Sequence, residues 1–284
     1  MSAAESDPVR LTVTQTQRLR ELGAESAVLD QDFASPAARD AAFKRLEEKF
    51  VRAGRAQLDE LRRTRRAPQS SELEVALRAA LMDAGFVQVV TPLIINGEAL
   101  AKMGVGHGHP LRRQVFWLQD GACLRPMLAP NLYTLLRKLG RIWSRPFGIF
   151  EIGPCFRRDS KGSHHLDEFT MLNLVELGLP QTACRPRLDE LAGLVVKAAG
   201  ITEFKLVGSK SDVYGDMVDV EVNGQEVCSA SFGPIPMDDA WGIFEPWVGL
   251  GFGLERLIMA REGYLNIERA GRSLTYVDGV RLNI

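Results

Sequence analysis

Two segments far apart in the chain, residues 150–158 and 249–257, constrain its fold more than any other feature. The first reads as an alternating strand that delivers Arg157 just before a polar loop. The second has glycine at every other position, which clears space for a ligand, and a predicted helix then begins with Arg256 in its first turn. Free backbone N–H groups and the helix dipole favour anions there. Because guanidinium forks match phosphate oxygens, the sequence predicts a phosphate-binding site built on these two arginines.

The composition is that of an ordinary globular protein. The chain has 284 residues, 45% of them hydrophobic, with a net charge of −1, which suits one large domain or two small ones. The four cysteines show no paired metal-binding spacing, nothing near residue 1 resembles a signal peptide, and no apolar run is long enough to span a membrane. We therefore expect a cytoplasmic protein with reduced thiols and no membrane partner. His107, His109 and the His164–His165 pair lack companion ligands, so no histidine metal site is expected.

A turn signal at Asn223–Gly224 predicts a hairpin. With a loop of two residues, Glu221 would pair with Glu226 and Asp219 with Cys228, which places the three carboxylates on one face. Either this face is solvated or a bound Mg²⁺ relieves the repulsion, and the hairpin alone does not decide between them. Since the chain shows no βαβ alternation and no internal repeat, the pattern favours an α+β fold, an antiparallel sheet flanked by helices.

The two opening segments resemble motifs 2 and 3 of the class II aminoacyl-tRNA synthetases. Residues 123–133 and 165–173 resemble the pyrrolysyl-tRNA synthetase family within that class. The resemblance runs from about residue 71 to the C-terminus and implies the class II catalytic fold over residues 71–284. It also implies the function: a ligase that uses ATP and Mg²⁺ to activate pyrrolysine, an Nε-acylated lysine, and transfers it to tRNA(Pyl), with no DNA partner.

The family resemblance also bears on assembly. A predicted helix that begins at Ser71, with Glu74 completing a capping box, and a strand that ends at Pro92 resemble motif 1, which builds the dimer interface in this class. The resemblance therefore implies a homodimer. Residues 1–70 leave no room for the separate N-terminal tRNA-binding domain of some family members, so we expect the stand-alone catalytic type.

The phosphate site takes its residue roles from the resemblance. Arg157 would contact the α-phosphate and the incoming carboxylate, Arg256 the γ-phosphate, and Glu226 with Ser229 would ligate Mg²⁺; Arg157, Arg256 and Glu226 are the catalytic set. Strict alternation places Ser229 on the opposite face, so a bulge or bend near Cys228 is expected. The implied ATP-binding residues are Arg157, Asp159, His165, Leu166, Phe169, Met171, Glu226, Ser229 and Arg256. Asp159 differs from the glutamate usual in the family.

An apolar pocket is predicted beside the phosphate site. Residues 169, 171, 173 and 175 alternate along one strand and share a face, where an aromatic ring can stack on adenine. Helical spacing after Pro126 predicts an apolar wall. The resemblance assigns the amino-acid-binding residues: Met127, Ala129, Leu132, Tyr133, Leu136, Asn173, Val175, Tyr214, Ser231, Trp247 and Gly251. Ser231 stands where the family commonly has a small aliphatic residue.

The N-terminal segment is strongly basic. Between residues 44 and 66, nine Lys and Arg stand against four acids, on helices predicted at residues 14–22 and 38–63, with a short linker at residues 67–70. Alone, this pattern favours a solvated helix face, but beside a synthetase domain it favours contact with tRNA phosphates. We therefore expect residues 1–70 to form a helical basic segment that contacts tRNA through Arg52, Arg55, Arg62, Arg63, Arg65 and Arg66.

Two other functions remain open. The first is a class II synthetase for another large apolar amino acid such as phenylalanine, because Asn173 is the one obvious polar side chain in the pocket. The second is a non-catalytic, synthetase-like RNA-binding or regulatory protein, against which the intact Arg157, Glu226 and Arg256 argue. A dinucleotide site is not expected, because Arg256 replaces the third glycine of that motif and no βαβ unit follows.

Overall fold

The computed structural model describes residues 8–158, 166–211 and 213–284. Its N-terminal part is helical, as predicted, with ends that differ from the predicted ones by a few residues. Thr12 and Ser35 cap the first and third helices by accepting backbone N–H groups of the following turn. Apolar side chains of these helices pack into a small core of their own. The elements are α1 (Val13–Leu22), α2 (Ser26–Leu29), α3 (Pro36–Glu60) and a π-helical turn (Leu61–Arg65).

The next helix, α4 (Gln69–Asp83), begins earlier than predicted. The predicted start at Ser71, its capping box and the linker at residues 67–70 are wrong. Pro68 stands at the N-cap, and the distant Asp278 side chain accepts the Gln69 N–H at 2.8 Å. A residue far along the chain thus caps the helix in place of a local one. The buried side chains of α4 are Leu73, Leu77 and Leu81.

A seven-stranded sheet forms the centre of the molecule, in the order β1-β4-β5-β9-β8-β7-β6. Its strands are antiparallel except for the parallel pair β1 and β4, so the predicted α+β class is confirmed. The strands are β1 (Val87–Gln88), β4 (Phe147–Phe156), β5 (Glu168–Leu177), β6 (Lys205–Ser211), β7 (Gly215–Val222), β8 (Gln225–Gly233) and β9 (Trp247–Gly253).

Helices cover the sheet and divide its surroundings into two apolar cores. One core holds α4, α8 (Gln181–Ala198) and α9 (Leu254–Glu262), and the other holds α7 (Ala129–Leu139). The smaller elements are β2 (Ile94–Asn96), α5 (Gly97–Lys102), α6 (Leu111–Gln114), β3 (Ala122–Leu124), β10 (Tyr276–Val277) and β11 (Val280–Arg281), with 3₁₀ turns at Gln119–Gly121, Pro236–Trp241 and Ile267–Arg269.

The strand predicted to end at Pro92 is shorter than expected. Only Val87 and Gln88 remain in β1. Thr91 leaves the ladder because its N–H and hydroxyl both bond to the Glu151 carboxylate, at 3.1 and 2.6 Å. A buried side chain on β4 therefore ends the pairing before the proline does.

The β7–β8 hairpin turns at Asn223–Gly224 as predicted, and Glu221 lies opposite Glu226. A register shift then follows, so that Asp219 lies opposite Ser229. The predicted pairing of Asp219 with Cys228 is wrong, whereas the bulge expected near Cys228 is confirmed. The extra residue in β8 brings Ser229 onto the face that carries the carboxylates.

The four cysteines are reduced and buried. Within the part of the chain that the structure describes, no helix is long and apolar enough to cross a membrane. The same residues contain no cluster of three or more His, Cys, Asp or Glu side chains placed to hold a metal ion.

Candidate active site

Arg157 lies immediately after β4, at the mouth of a cleft. Its Nε donates to the Pro126 carbonyl at 2.8 Å, and its own backbone N–H donates to the Asp167 carbonyl at 2.9 Å. The guanidinium carbon lies 5.2 Å from the ring centre of Phe169 on the neighbouring strand β5. Backbone contacts on both sides therefore fix where this cation points.

A polar pocket of about 260 Å³ lies between β5, β8 and the start of α9. It brings the two arginines of the opening segments to one space, together with most of the predicted ATP-binding set. Asp159 and His165 lie outside the described residues. The predicted residues that line the polar pocket are Arg157, Leu166, Phe169, Met171, Glu226, Ser229 and Arg256.

Oxygen atoms converge at one edge of the polar pocket. The Ser229 hydroxyl lies 3.0 Å from an Asp219 carboxylate oxygen and 3.2 Å from a Glu226 carboxylate oxygen. A hydroxyl has one proton and can donate to only one of them. Arg256 lies 3.2 Å from the same Glu226 oxygen and also donates to the Glu226 carbonyl. The arrangement is a group of oxygen donors suited to a small divalent cation.

An apolar pocket of about 170 Å³ adjoins the polar one. Every residue predicted for the amino-acid site lines this pocket, because one face of α7 and one face of β5 border the same space. Met217 and Gly249 also line it and were not predicted. The predicted lining residues are Met127, Ala129, Leu132, Tyr133, Leu136, Asn173, Val175, Tyr214, Ser231, Trp247 and Gly251.

Few polar groups are exposed in the apolar pocket. The Asn173 side-chain oxygen and the Ser231 hydroxyl are buried and have no hydrogen-bond partner among the described residues. Gly251 makes room for the amide, since a Cβ there would lie 3.1 Å from its nitrogen. A ligand that can use these groups would supply the hydrogen bonds that they do not form within the protein.

The two pockets meet at Arg157. Four residues line both of them: Arg157, Met171, Ser229 and Gly251. A molecule with an apolar side chain and a carboxylate, lying in the apolar pocket, would present the carboxylate to the same guanidinium that would meet a phosphate bound in the polar pocket. This geometry suits a reaction between a carboxylate and a phosphate.

A buried ion pair and a buried carboxyl group near the site were not predicted. Arg125 pairs with Glu151 at 2.7 Å and donates to the Pro154 carbonyl, which braces the end of β4. Glu255 accepts the Thr170 N–H at 2.9 Å, and burial raises its pKa to about 7. A charged residue inside an apolar stretch is the sequence signal that was available for both.

The basic N-terminal side chains divide into two kinds. Arg65 is held by Glu72 and by Asp278, whose side chain is buried. Arg62 and Arg63 are exposed, and their ion-pair partner among the described residues is Asp59, near the end of α3. Arg52, Arg55 and Arg66 are exposed as well. All of the predicted tRNA-contacting arginines except Arg65 therefore present an accessible guanidinium.

Comparison with known proteins gives a consistent picture. No protein-family model matches the chain. The lysine–tRNA ligase of Pelotomaculum thermopropionicum is 28% identical over 207 residues, 72% of this chain, and the chain spans only 34% of that ligase. A crystal structure of the pyrrolysyl-tRNA synthetase from Desulfitobacterium hafniense has 53% identity and a TM-score of 0.92, over 97% of this chain and 99% of that one. A second structure of that synthetase has 51% identity and a TM-score of 0.92 over both full chains.

Proposed function

The chain belongs to the pyrrolysyl-tRNA synthetases, a family of class II aminoacyl-tRNA ligases, and on that premise we propose that it activates pyrrolysine with ATP and transfers it to tRNA(Pyl). The observation that carries the proposal is the junction of the two pockets at Arg157. Residues 71–284 form the catalytic domain in this proposal. Residues 1–70 form the basic segment that contacts tRNA.

Activation joins the amino acid to the α-phosphate. A carboxylate oxygen attacks the α-phosphorus, the bond to the bridging oxygen breaks, and pyrophosphate leaves with that oxygen and its electron pair. Arg157 stabilises the charge that develops on the α-phosphate and orients the carboxylate. Arg256, at the first turn of α9, holds the γ-phosphate. The adenine base stacks on the Phe169 ring.

The oxygen donors of the polar pocket fit Mg²⁺. Glu226 and Ser229 would hold the ion, with Asp219 next to them. When bound, Mg²⁺ supplies positive charge that neutralises the phosphate oxygens. Arg256 pairs with the Glu226 carboxylate, and the bulge in β8 keeps the Ser229 hydroxyl on the same face.

The apolar pocket favours an acylated lysine over lysine. Its lining offers no carboxylate to an incoming ammonium among the described residues, and an unpaired buried charge costs several kcal/mol. A penalty of about 4 kcal/mol corresponds to about a thousandfold preference. An Nε-acyl group is neutral, and its carbonyl can accept a hydrogen bond from the Asn173 amide.

Assembly and location complete the proposal. Val87, Val90, Leu93 and Ile94 form an exposed apolar patch around β1 and β2, which supports a homodimer built on this surface. An enzyme that uses ATP to charge tRNA works where translation takes place, so the proposed location is the cytoplasm.

Exchange of labelled pyrophosphate into ATP tests the proposal with a panel of amino acids. We expect exchange with pyrrolysine and bulky Nε-acyl lysines and almost none with lysine or phenylalanine. Asn173→Ala should relax the selectivity toward substituted phenylalanines. Equal activation of lysine or phenylalanine by the purified enzyme would overturn the substrate assignment, and phenylalanine alone would favour the phenylalanine-like alternative.

A further inference from the structure

Asp238 is fully buried in the 3₁₀ turn Pro236–Trp241, just outside the apolar pocket. Its carboxylate accepts a hydrogen bond from the Tyr133 hydroxyl at 2.8 Å on one oxygen. The other oxygen accepts from the Trp247 indole N–H and from the Ile235 backbone N–H, each at 2.7 Å. One side chain therefore links α7, the 3₁₀ turn and β9.

The two rings that Asp238 holds are walls of the apolar pocket. Tyr133 and Trp247 meet edge to face, with ring centres 6.0 Å apart. Behind Trp247, the backbone of Gly233 packs so closely that a Cβ there would collide with the indole nitrogen. Tyr133 also stacks on Trp241, with ring centres 5.3 Å apart. Neither ring can change its tilt without breaking a bond to Asp238.

The hydrogen bonds to Asp238 also set the polarity of the pocket wall. Burial, with Tyr214 and Asp238 close by, raises the pKa of Tyr133, so the hydroxyl stays protonated and continues to donate. Because that proton is committed to Asp238, Tyr133 presents its ring to the pocket and has no donor left for a ligand. A buried carboxylate is stable only while such donors surround it.

We propose that Asp238 is a specificity-determining positioning residue that fixes the width of the amino-acid pocket by holding the Tyr133 and Trp247 rings. The inference rests on the proposed function, because the ligand whose size is selected is the acyl group of an Nε-acyl lysine. Asp238 does not line the pocket and acts only through the two rings.

Two variants and one matched control test this role. Asp238→Ala removes both oxygens that accept hydrogen bonds from Tyr133, Trp247 and Ile235. Asp238→Asn keeps the shape of the side chain and one oxygen acceptor, but its NH₂ group replaces the other acceptor and cannot accept from the donors on that side. Asp239→Asn is the control, since Asp239 is the exposed next residue in the same turn. KM and kcat are measured by pyrophosphate exchange with Nε-acetyl-lysine, Nε-tert-butoxycarbonyl-lysine and ATP.

In Asp238→Ala we expect the ratio of kcat/KM for the bulky to the small acyl-lysine to change about tenfold, the effect of a small misfit in an apolar pocket. Asp238→Asn should show a smaller change in the same direction, and the KM for ATP should stay within about twofold of wild type in both. Asp239→Asn should match the wild type. The near-ultraviolet circular dichroism, to which the packed rings of Tyr133, Trp241 and Trp247 contribute, should change in Asp238→Asn, which reports ring packing without turnover.

An unchanged acyl-size ratio in a folded Asp238→Asn or Asp238→Ala variant would overturn the inference, as would a parallel loss for both acyl-lysines and ATP. If Asp238→Ala does not fold, Asp238→Asn decides alone. Failure of the wild-type enzyme to activate any Nε-acyl-lysine would instead overturn the proposed function.

Discussion

Among single residues, Arg157 connects the two halves of the site. Its guanidinium is held by the Pro126 carbonyl and lies over Phe169, so its position is set before any ligand arrives. Such preorganisation is what makes a cation effective in a transition state, because no reorganisation is needed during the reaction.

Replacing Arg157 should therefore strongly reduce activation without unfolding the chain. We expect Arg157→Ala to lower pyrophosphate exchange by about 10²–10³-fold, the usual cost of losing one such donor. The control is Arg158→Ala, which removes the neighbouring exposed cation that stacks on Phe116, 4.8 Å away, outside both pockets. Exchange within about threefold of wild type in Arg157→Ala would exclude the assigned role.

Glu255 adds a pH dependence to stability. Burial raises its pKa from the ordinary 4.5 to about 7 in the folded chain. Between these two values the folded state binds more protons than the unfolded state, so this group's contribution to stability falls as pH rises through that window. It is fully present below about pH 4.5 and lost above about pH 7.

In the Glu255→Gln variant, the free energy of unfolding should depend less on pH than in the wild type. Urea unfolding between pH 5 and pH 8 measures it, and the free energy of unfolding of the wild type should decline more steeply with pH than that of the variant. Glu262→Gln, at the exposed far end of α9, should retain the wild-type slope. Identical slopes in wild type and Glu255→Gln would show that Glu255 does not titrate in this window.

At the level of elements, the N-terminal helix α3 and its π-helical turn present accessible arginines at residues 62, 63 and 66. Arg65 faces the other way and joins the turn to α4 and to the buried Asp278. The π-helical turn therefore has an inner side, where Arg65 attaches it to the catalytic domain, and an exposed, positively charged outer side. Mutations can change either side separately.

Charge reversal of the outer arginines should weaken tRNA charging and spare amino-acid activation. We expect the triple variant Arg62→Glu, Arg63→Glu, Arg66→Glu to lose about tenfold or more in tRNA affinity, with a smaller loss as salt rises, because phosphate contacts add affinity without entering the chemical step. Aminoacylation and pyrophosphate exchange are compared directly.

The matched control for this surface is Arg65→Glu. It breaks the ion pairs with Glu72 and Asp278, so its main effect should be a lower melting temperature. Equal losses of exchange and aminoacylation in the triple variant would instead mean that the whole element is structural.

For the whole molecule, the exposed apolar patch around β1 and β2 predicts self-association. Val90 is 87% exposed and Ile94 57% exposed in the single chain, which is costly for a large apolar side chain in water. We expect the wild type to sediment as a dimer and the double variant Val90→Glu, Ile94→Glu to sediment as a monomer. Val13→Glu, at an 85% exposed position on α1, should remain dimeric. A monomeric wild type at micromolar concentration would contradict the proposed homodimer.

The sequence by itself determined the parts of this protein that depend on short-range geometry. Alternation along β5 placed Phe169, Met171, Asn173 and Val175 on one face, and helical spacing placed the α7 wall, because side-chain direction follows the local backbone period. The Asn223–Gly224 turn predicted the first residue pairs of the hairpin, because the length of the loop decides which residues lie opposite each other. The bulge in β8 was not among these: local alternation alone places Ser229 on the opposite face, and the bulge was expected only because the family resemblance pairs Ser229 with Glu226.

Only the tertiary structure decided the contacts between residues far apart in the chain. Asp278 takes the place of the predicted cap of α4, Glu151 ends β1 early, and Asp238 holds two rings from α7 and β9. The pKa of Glu255 likewise depends on burial between β5 and α9. Hydrogen bonding and desolvation of a buried polar group depend on which distant atoms surround it, and no local period in the sequence carries that information.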